Sequence, residues 1–137
     1  MTVQEILQIL HVEDHDLDAE AVLRTFRKLG VDIPVARAPD GAEALEMLRG
    51  MDSDAIRRTV MLLDLNLPRM SGLELLEQMR GDGELGAMRV FTFTTSESKE
   101  DRAAAQSFGI EGYIVKPAIS RELPAALTPF RDFLRSA

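Results

Sequence analysis

The run Val60-Met61-Leu62-Leu63-Asp64 decides the fold of this chain. Its consecutive apolar residues, with no alternation of polar partners, describe a strand buried on both faces, as in a parallel sheet covered by helices. Asp64 ends the run, and a carboxylate at the carboxyl end of such a strand lies in the crevice where open α/β sheets bind ligands. Outward from this strand the arrangement repeats. Ile6 to Val12 ends at Glu13-Asp14, Met88 to Phe93 ends at Thr94-Thr95, and Tyr113-Ile114-Val115 ends at Lys116-Pro117. A shorter strand falls at about Pro34 to Ala38.

Between the strands the apolar period changes to that of a helix. A first helix runs from about Asp16 to Leu29, with Leu17, Ala21, Val22, Leu23 and Phe26 as its stripe, and Gly30 stops it. Asp40 can cap a second, carrying Ala42, Ala44, Leu45, Met47 and Leu48. A third follows Ser71-Gly72 with Leu73, Leu75, Leu76 and Met79, and Gly81-Asp82-Gly83 breaks it. Ser96 can cap a fourth, with Glu100 near the capping-box position; Ala103, Ala104 and Phe108 line it and Gly109 ends it. The stretch Gly50 to Arg58 reads as a loop, or a helix tail plus a loop. Alternating strands and helices with right-handed crossovers give a doubly wound, five-stranded parallel sheet with helices on both faces, in one domain over residues 1–137.

Ser120 can cap a fifth helix. Pro124 suits its first turn, but Pro129 would fall in the interior, at a cost of about 3 kcal/mol. Thr128-Pro129 looks instead like a cap and a first helical position, so the sequence predicts a kink or a break near Thr128. Beyond it, Phe130, Phe133 and Leu134 form an apolar face. The favoured reading is that they close the core; the second is that they form part of a dimer surface.

The 137 residues suit a single core, and 45% hydrophobic and 28% charged content is ordinary for a globular domain. No apolar run approaches the roughly 20 residues of a membrane helix. Met1-Thr2-Val3-Gln4-Glu5 lacks the basic-then-apolar pattern of a signal peptide. The chain has no cysteine, which removes disulfide and thiol chemistry and makes the cytoplasm the default location. A net charge of −7 argues against sequence-independent nucleic-acid binding, and Arg57-Arg58 reads as a solvated surface pair.

If the strands are parallel, one sheet edge gathers Glu13, Asp14, Asp64, Thr94 and Lys116. Carboxylates packed together repel, so without a cation one tends to stay protonated. Magnesium relieves this, because it takes hard oxygen ligands, waters and phosphate oxygens. His11 and His15 are poorly placed for a zinc cluster: alternation sets His11 on the face opposite Val12, against a helix, and His15 reads as a solvated helix-start residue. A carboxylate can act as a nucleophile toward phosphorus. Lys116, the Thr94 hydroxyl, and backbone N–H groups near Asn66 and Thr95 can meet the phosphoryl oxygens. Taken singly, each residue has a plain structural role as a cap, a turn or a strand residue; the signal is their joint placement.

These residues resemble the receiver domain of a two-component response regulator. The likeness covers essentially the whole chain. It is carried by Glu13-Asp14, by Asp64-Leu65-Asn66-Leu67-Pro68-Arg69-Met70-Ser71-Gly72, by Thr94 and by Lys116-Pro117, with the Asp64-to-Thr94 and Thr94-to-Lys116 intervals of the single-domain chemotaxis regulator. The resemblance implies a flavodoxin-like sheet of order 2-1-3-4-5. It further implies that Asp64 accepts a phosphoryl group from a histidine kinase. Asp14 and Asp64 would bind Mg2+ through side chains, Asn66 through its carbonyl and Glu13 mainly through water. Lys116 would pair with the phosphoryl oxygens, Thr94 would move toward them, and Tyr113 would be the aromatic switch. Output would pass through the fourth helix, fifth strand and fifth helix to a protein partner or to a second copy.

Several features depart from the commonest pattern. Glu13 stands where Asp is usual, and Thr95 stands where alanine is frequent, which narrows the approach of water. The interval from Asp14 to Asp64 is several residues longer than in the chemotaxis regulator. That extension, the Leu10-His11-Val12-Glu13-Asp14 start and the missing output domain resemble the small regulators paired with phytochrome-type sensor kinases. Three rivals are weaker. A haloacid-dehalogenase-type phosphatase needs a second acid where this chain has Asn66. A receiver-like scaffold not regulated by phosphorylation ranks second, because no residue essential for accepting phosphate is missing from this chain. A flavodoxin-like electron carrier would need a flavin loop, which is not evident.

Overall fold

β3 (Thr59–Leu63) is buried at every position, and it forms the middle of the sheet. The structure is a computed structural model that describes residues 5–136; residues 1–4, on which the reading of the N-terminus rests, lie outside the described residues. β1 (Gln8–Val12), β2 (Val35–Ala38), β4 (Arg89–Thr94) and β5 (Gly112–Val115) complete an all-parallel sheet in the order β2-β1-β3-β4-β5. The order expected from the resemblance is the observed one. Val12 pairs with Leu63, so the chain leaves β1 and β3 side by side at one edge.

The helices are α1 (Asp16–Lys28), α2 (Gly41–Arg49), α3 (Ser53–Arg57), α4 (Gly72–Arg80), α5 (Lys99–Ser107) and α6 (Leu123–Ser136). Strand alternation builds two cores. Leu10, Val12, Met61, Leu63 and Val90 face α2, α3, α4 and α5, through Leu45, Leu48, Ile56, Leu75, Leu76, Met79 and Ala105. Ile9, Val60, Leu62, Phe91, Phe93 and Ile114 face α1 and α6, through Val22, Phe26, Leu127 and Phe130. Among the described residues no helix is long and apolar enough to cross a membrane.

Four local expectations are corrected. The stretch Gly50 to Arg58 contains α3: Asp52 accepts from the Ala55 amide at 2.8 Å and Ile56 is buried. One turn is too short to show a period. α5 is capped by Ser98, whose hydroxyl accepts from Asp101 N, while Ser96 donates to the Asp101 carboxylate instead; its buried residue is Ala105. The stripe assigned to α1 included Leu17 and Leu23, but both are exposed and the buried positions are Ala19, Val22, Thr25 and Phe26. Ser120 begins a 3-10 turn, Ser120–Glu122, that leads into α6 rather than capping it.

The break expected near Thr128 is absent, for α6 is continuous with Pro129 inside it. Pro129 is exposed, so its ring costs no packing. On the opposite side Phe130 stacks on Phe26 at 5.6 Å and meets the edge of Phe91 at 5.1 Å, and Phe91 also meets Phe133. Burying Phe130, Leu127 and Leu134 is worth about 1.5–3 kcal/mol each, which outweighs one lost helical bond. These side chains close the core, as favoured.

Away from the strand ends that carry Glu13 and Asp64, Arg80 at the end of α4 donates to the carbonyls of Phe108 (2.6 Å), Met88 (2.8 Å) and Gly86 (3.2 Å). It thereby ties the chain entering β4 and the end of α5 to α4. Because only the proline ring opposes helix continuity, Pro129→Ala is expected to stabilise the fold by about 1–2 kcal/mol in urea denaturation. A loss of stability would show that the proline is accommodated by a local geometry the helix needs.

Candidate functional site

The site forms where β1, β3, β4 and β5 end. Main-chain register delivers Glu13 and Asp64: Glu13 N donates to Ala38 O at 3.0 Å and Asp64 N to Val12 O at 3.1 Å, which continues the ladders one residue past the strands. Lys116 N donates to Thr94 O at 2.7 Å and does the same beyond β5.

The Lys116 ammonium holds three carboxylates, Glu13 Oε1 at 2.8 Å, Asp18 Oδ2 at 2.9 Å and Asp64 Oδ2 at 3.0 Å. Burial alone would lower its pKa, but the hydrogen bonds it donates to Glu13, Asp18 and Asp64 outweigh burial and push it up, so it stays charged. Glu13 is fully buried and its pKa is raised by that burial, against the opposing pull of Lys116. Asp64 is 2% exposed, and its Oδ1 accepts from Asn66 N at 3.0 Å.

Thr94 is buried, and its hydroxyl accepts from Asn66 Nδ2 and from Ser96 N, each at 3.3 Å. Asn66 Nδ2 also reaches Thr95 Oγ1 at 3.4 Å. Tyr113 donates to the Ser96 carbonyl at 3.0 Å, and the Arg102 guanidinium lies 4.6 Å from its ring centre. Both hydroxyls thus hold Ser96, one at its N–H and one at its C=O, in the two peptide groups that flank its Cα. The structure brings together Glu13, Asp14, Asp64 and Lys116, links Thr94 to them through Asn66, and links Tyr113 to Thr94 through Ser96.

Asp18 was missed by sequence reading. It lies in the first turn of α1, where an acid reads as a dipole partner, and only the docking of α1 brings it to Lys116. His11 does face the α1 and α6 side, buried, with Nε2 lacking a hydrogen-bond partner and 3.9 Å from Glu13 Oε1. Burial, helped by Lys116 and Arg37, lowers its pKa to about 3, so the ring is neutral.

Four carboxylates, Glu13, Asp14, Asp18 and Asp64, surround a single ammonium, which leaves negative charge for a cation to offset. Ligand atoms of Glu13, Asp14, His15 and Asp64 all lie within 4.8 Å of one another. Asp14 Oδ1 is buried with no hydrogen-bond partner, an arrangement that costs free energy unless something binds there. The donor set, rich in hard oxygens, fits magnesium or a cation like it.

Residues 9–128 match the family model described as the response regulator receiver domain. Over 127 residues the chain is 33% identical to the "Probable methanogenesis regulatory protein FilR2" of Methanothrix harundinacea, covering 91% of this chain and 81% of that protein. Among solved structures, the phosphorylated cyanobacterial phytochrome response regulator RcpA has 28% identity and a TM-score of 0.82, covering 96% of this chain and 95% of that one. The Mn2+-bound form of response regulator Rcp1 has 26% identity and a TM-score of 0.79, covering 92% of each chain.

Gly72 sets the loop that follows Asp64. A Cβ there would lie 2.5 Å from Asp64 O and 2.7 Å from Leu65 Cα, both main-chain atoms. Gly72→Ala is therefore expected to cost about 1–3 kcal/mol in urea denaturation and to weaken divalent-cation binding, because the loop must move Asp64 to make room. Unchanged cation affinity would show that Asp64 is not positioned through Gly72.

Proposed function

The chain belongs to the response regulator receiver domain family, and on that premise we propose that it is a phosphoacceptor switch of a two-component system, with Asp64 as the acceptor. The observation that carries this reading is the Asp64 carboxylate held 3.0 Å from Lys116 beside Glu13 and Asp14. In the proposed step an Asp64 oxygen forms a bond to phosphorus as the bond from phosphorus to the donor's imidazole nitrogen breaks. The nitrogen keeps the electron pair, and an acyl phosphate results. Asp14, Asp64 and the Asn66 carbonyl would hold Mg2+, with Glu13 acting through water; the ion would neutralise phosphoryl oxygens.

Lys116 stays protonated throughout and exchanges its Asp64 partner for a phosphoryl oxygen. The Thr94 hydroxyl, now an acceptor for Ser96 N, turns to donate to another. Ser96 then loses one of its main-chain anchors, and the Tyr113 hydroxyl on its carbonyl is released to follow, while its own hydroxyl stays on the Asp101 carboxylate. This is a two-state coupling through one residue, read out at α5, β5 and α6.

The partner in this proposal is a sensor histidine kinase. Likeness to RcpA, a phytochrome response regulator by name, supports a phytochrome-type sensor. The same proposal takes residues 1–137 as one receiver unit in the cytoplasm, signalling by altered protein contact. A homodimer through α5, β5, α6 and the C-terminal segment is one form that contact can take.

Acetyl phosphate with Mg2+ should label the wild-type chain near stoichiometrically. Asp64→Asn, or a chelator added to wild type, should remove the label; labelling of Asp64→Asn would assign the acceptor elsewhere, and failure of wild type to label would favour an interaction scaffold. Thr94→Ala and Lys116→Ala should retain partial labelling but lose the phosphorylation-dependent change in amide exchange of α5. Normal exchange changes in both variants would defeat the Ser96 coupling.

A further inference from the structure

We propose that His15 is an additional ligand of the cation site, and that it shifts the site's preference from magnesium toward borderline first-row divalent cations such as nickel and zinc. The inference rests on the proposed reading in one respect: a divalent cation sits among Glu13, Asp14 and Asp64. What it adds is a nitrogen donor that sequence reading treated as a solvated helix-start residue.

The geometry singles out Nδ1. It lies 3.4 Å from Asp14 Oδ1 and 3.5 Å from Glu13 Oε2. Neither contact is a hydrogen bond, for His15 donates to Glu13 by its backbone N–H, at 3.3 Å, and the ring would pair with the two acids only when protonated. Yet Asp14 Oδ1, the oxygen nearest to Nδ1, is the buried atom with no partner. Two donor atoms that each lie about 2.1–2.2 Å from one ion and 3.4 Å from each other subtend roughly 105° at it, close to adjacent octahedral positions. The ligand atoms of all four residues fall inside the same 4.8 Å span.

The imidazole has no competing structural task. His15 is the N-cap residue of α1, with φ −90° and ψ 115°, and its side chain makes no capping hydrogen bond. The side chain is 66% exposed, so packing does not dictate where the ring points. Main-chain constraint and the adjacent acids place it. Removing it should therefore leave the fold intact and change only the donor set.

The chemistry gives the direction of the effect. Magnesium takes oxygen and keeps its waters, so a water can replace the imidazole with little loss. Nickel and zinc bind imidazole nitrogen well. Every carboxylate site prefers nickel to magnesium to some degree, so the quantity that tests the role of His15 is the change in that preference when the ring is removed.

Calorimetric titration of the untagged full chain with MgCl2, NiCl2 and ZnCl2 would compare wild type, His15→Ala and Asp14→Asn. His15→Ala is expected to weaken Ni2+ and Zn2+ about tenfold or more and Mg2+ by less than about twofold. Pulsed electron paramagnetic resonance of the Mn2+-loaded wild type should show a directly bound nitrogen that disappears in His15→Ala. Equal losses for all three metals, no loss for any, or a nitrogen coupling that persists in His15→Ala would overturn the inference. Asp14→Asn separates this outcome from failure of the site itself: if it abolishes binding of every metal while His15→Ala changes none, the cation site stands and the His15 ligand falls. If Asp14→Asn binds all three as wild type does, the site assignment falls and the His15 ligand with it.

Discussion

One buried ammonium holds the chemistry-bearing edge of this protein together. Lys116 reaches from beyond β5 to Glu13 beyond β1, to Asp18 on α1 and to Asp64 beyond β3. Glu13 and Asp64 would be costly to leave alone, since both are almost wholly removed from water, whereas Asp18 is partly solvated. The lysine offsets that cost only because all the strands run the same way, so that their ends meet. Parallel topology thus comes first, and the electrostatic arrangement depends on it. The arrangement in turn carries a surplus of negative charge, which is what makes a cation a natural addition.

Much of this was legible in the sequence because the site residues follow immediately on apolar runs. A residue that ends a strand inherits its position from the sheet, and Glu13, Asp64, Thr94 and Lys116 all do. Asp18 does not. It sits on a helix, and its approach to Lys116 depends on how α1 packs, which local pattern does not encode. The same limit explains α6. Helix propensity predicts a stop at Pro129, while the aromatic contacts among Phe26, Phe91 and Phe130 are long-range and override it. α3 escaped notice for a third reason: a single turn with one buried residue has no period to read.

The two hydroxyls at Ser96 deserve comparison with the lysine. Both are polar links between strands otherwise joined only by ladders. Lys116 is saturated by carboxylates and deeply set, so it resists displacement. The main chain of Ser96, which is partly exposed, is held by two neutral bonds at 3.3 Å and 3.0 Å, while its hydroxyl donates to the Asp101 carboxylate. Neutral bonds of this kind are worth about 1 kcal/mol each. A buried, charge-saturated lysine and a weaker, neutral main-chain link therefore lie side by side at this edge.

α5 has an uneven grip on the rest of the molecule. Of its nine residues only Ala105 is buried, and its far end is fastened by the hydrogen bond from Arg80 to Phe108 O. Its near end rests on the segment that contains Ser96. A rod pinned at one tip and propped at the other behaves as a lever with its fulcrum at Arg80. In the proposed switch a small displacement at the prop would become an angular swing of the outer surface of α5, so that a shift at one residue would reshape a face far wider than itself.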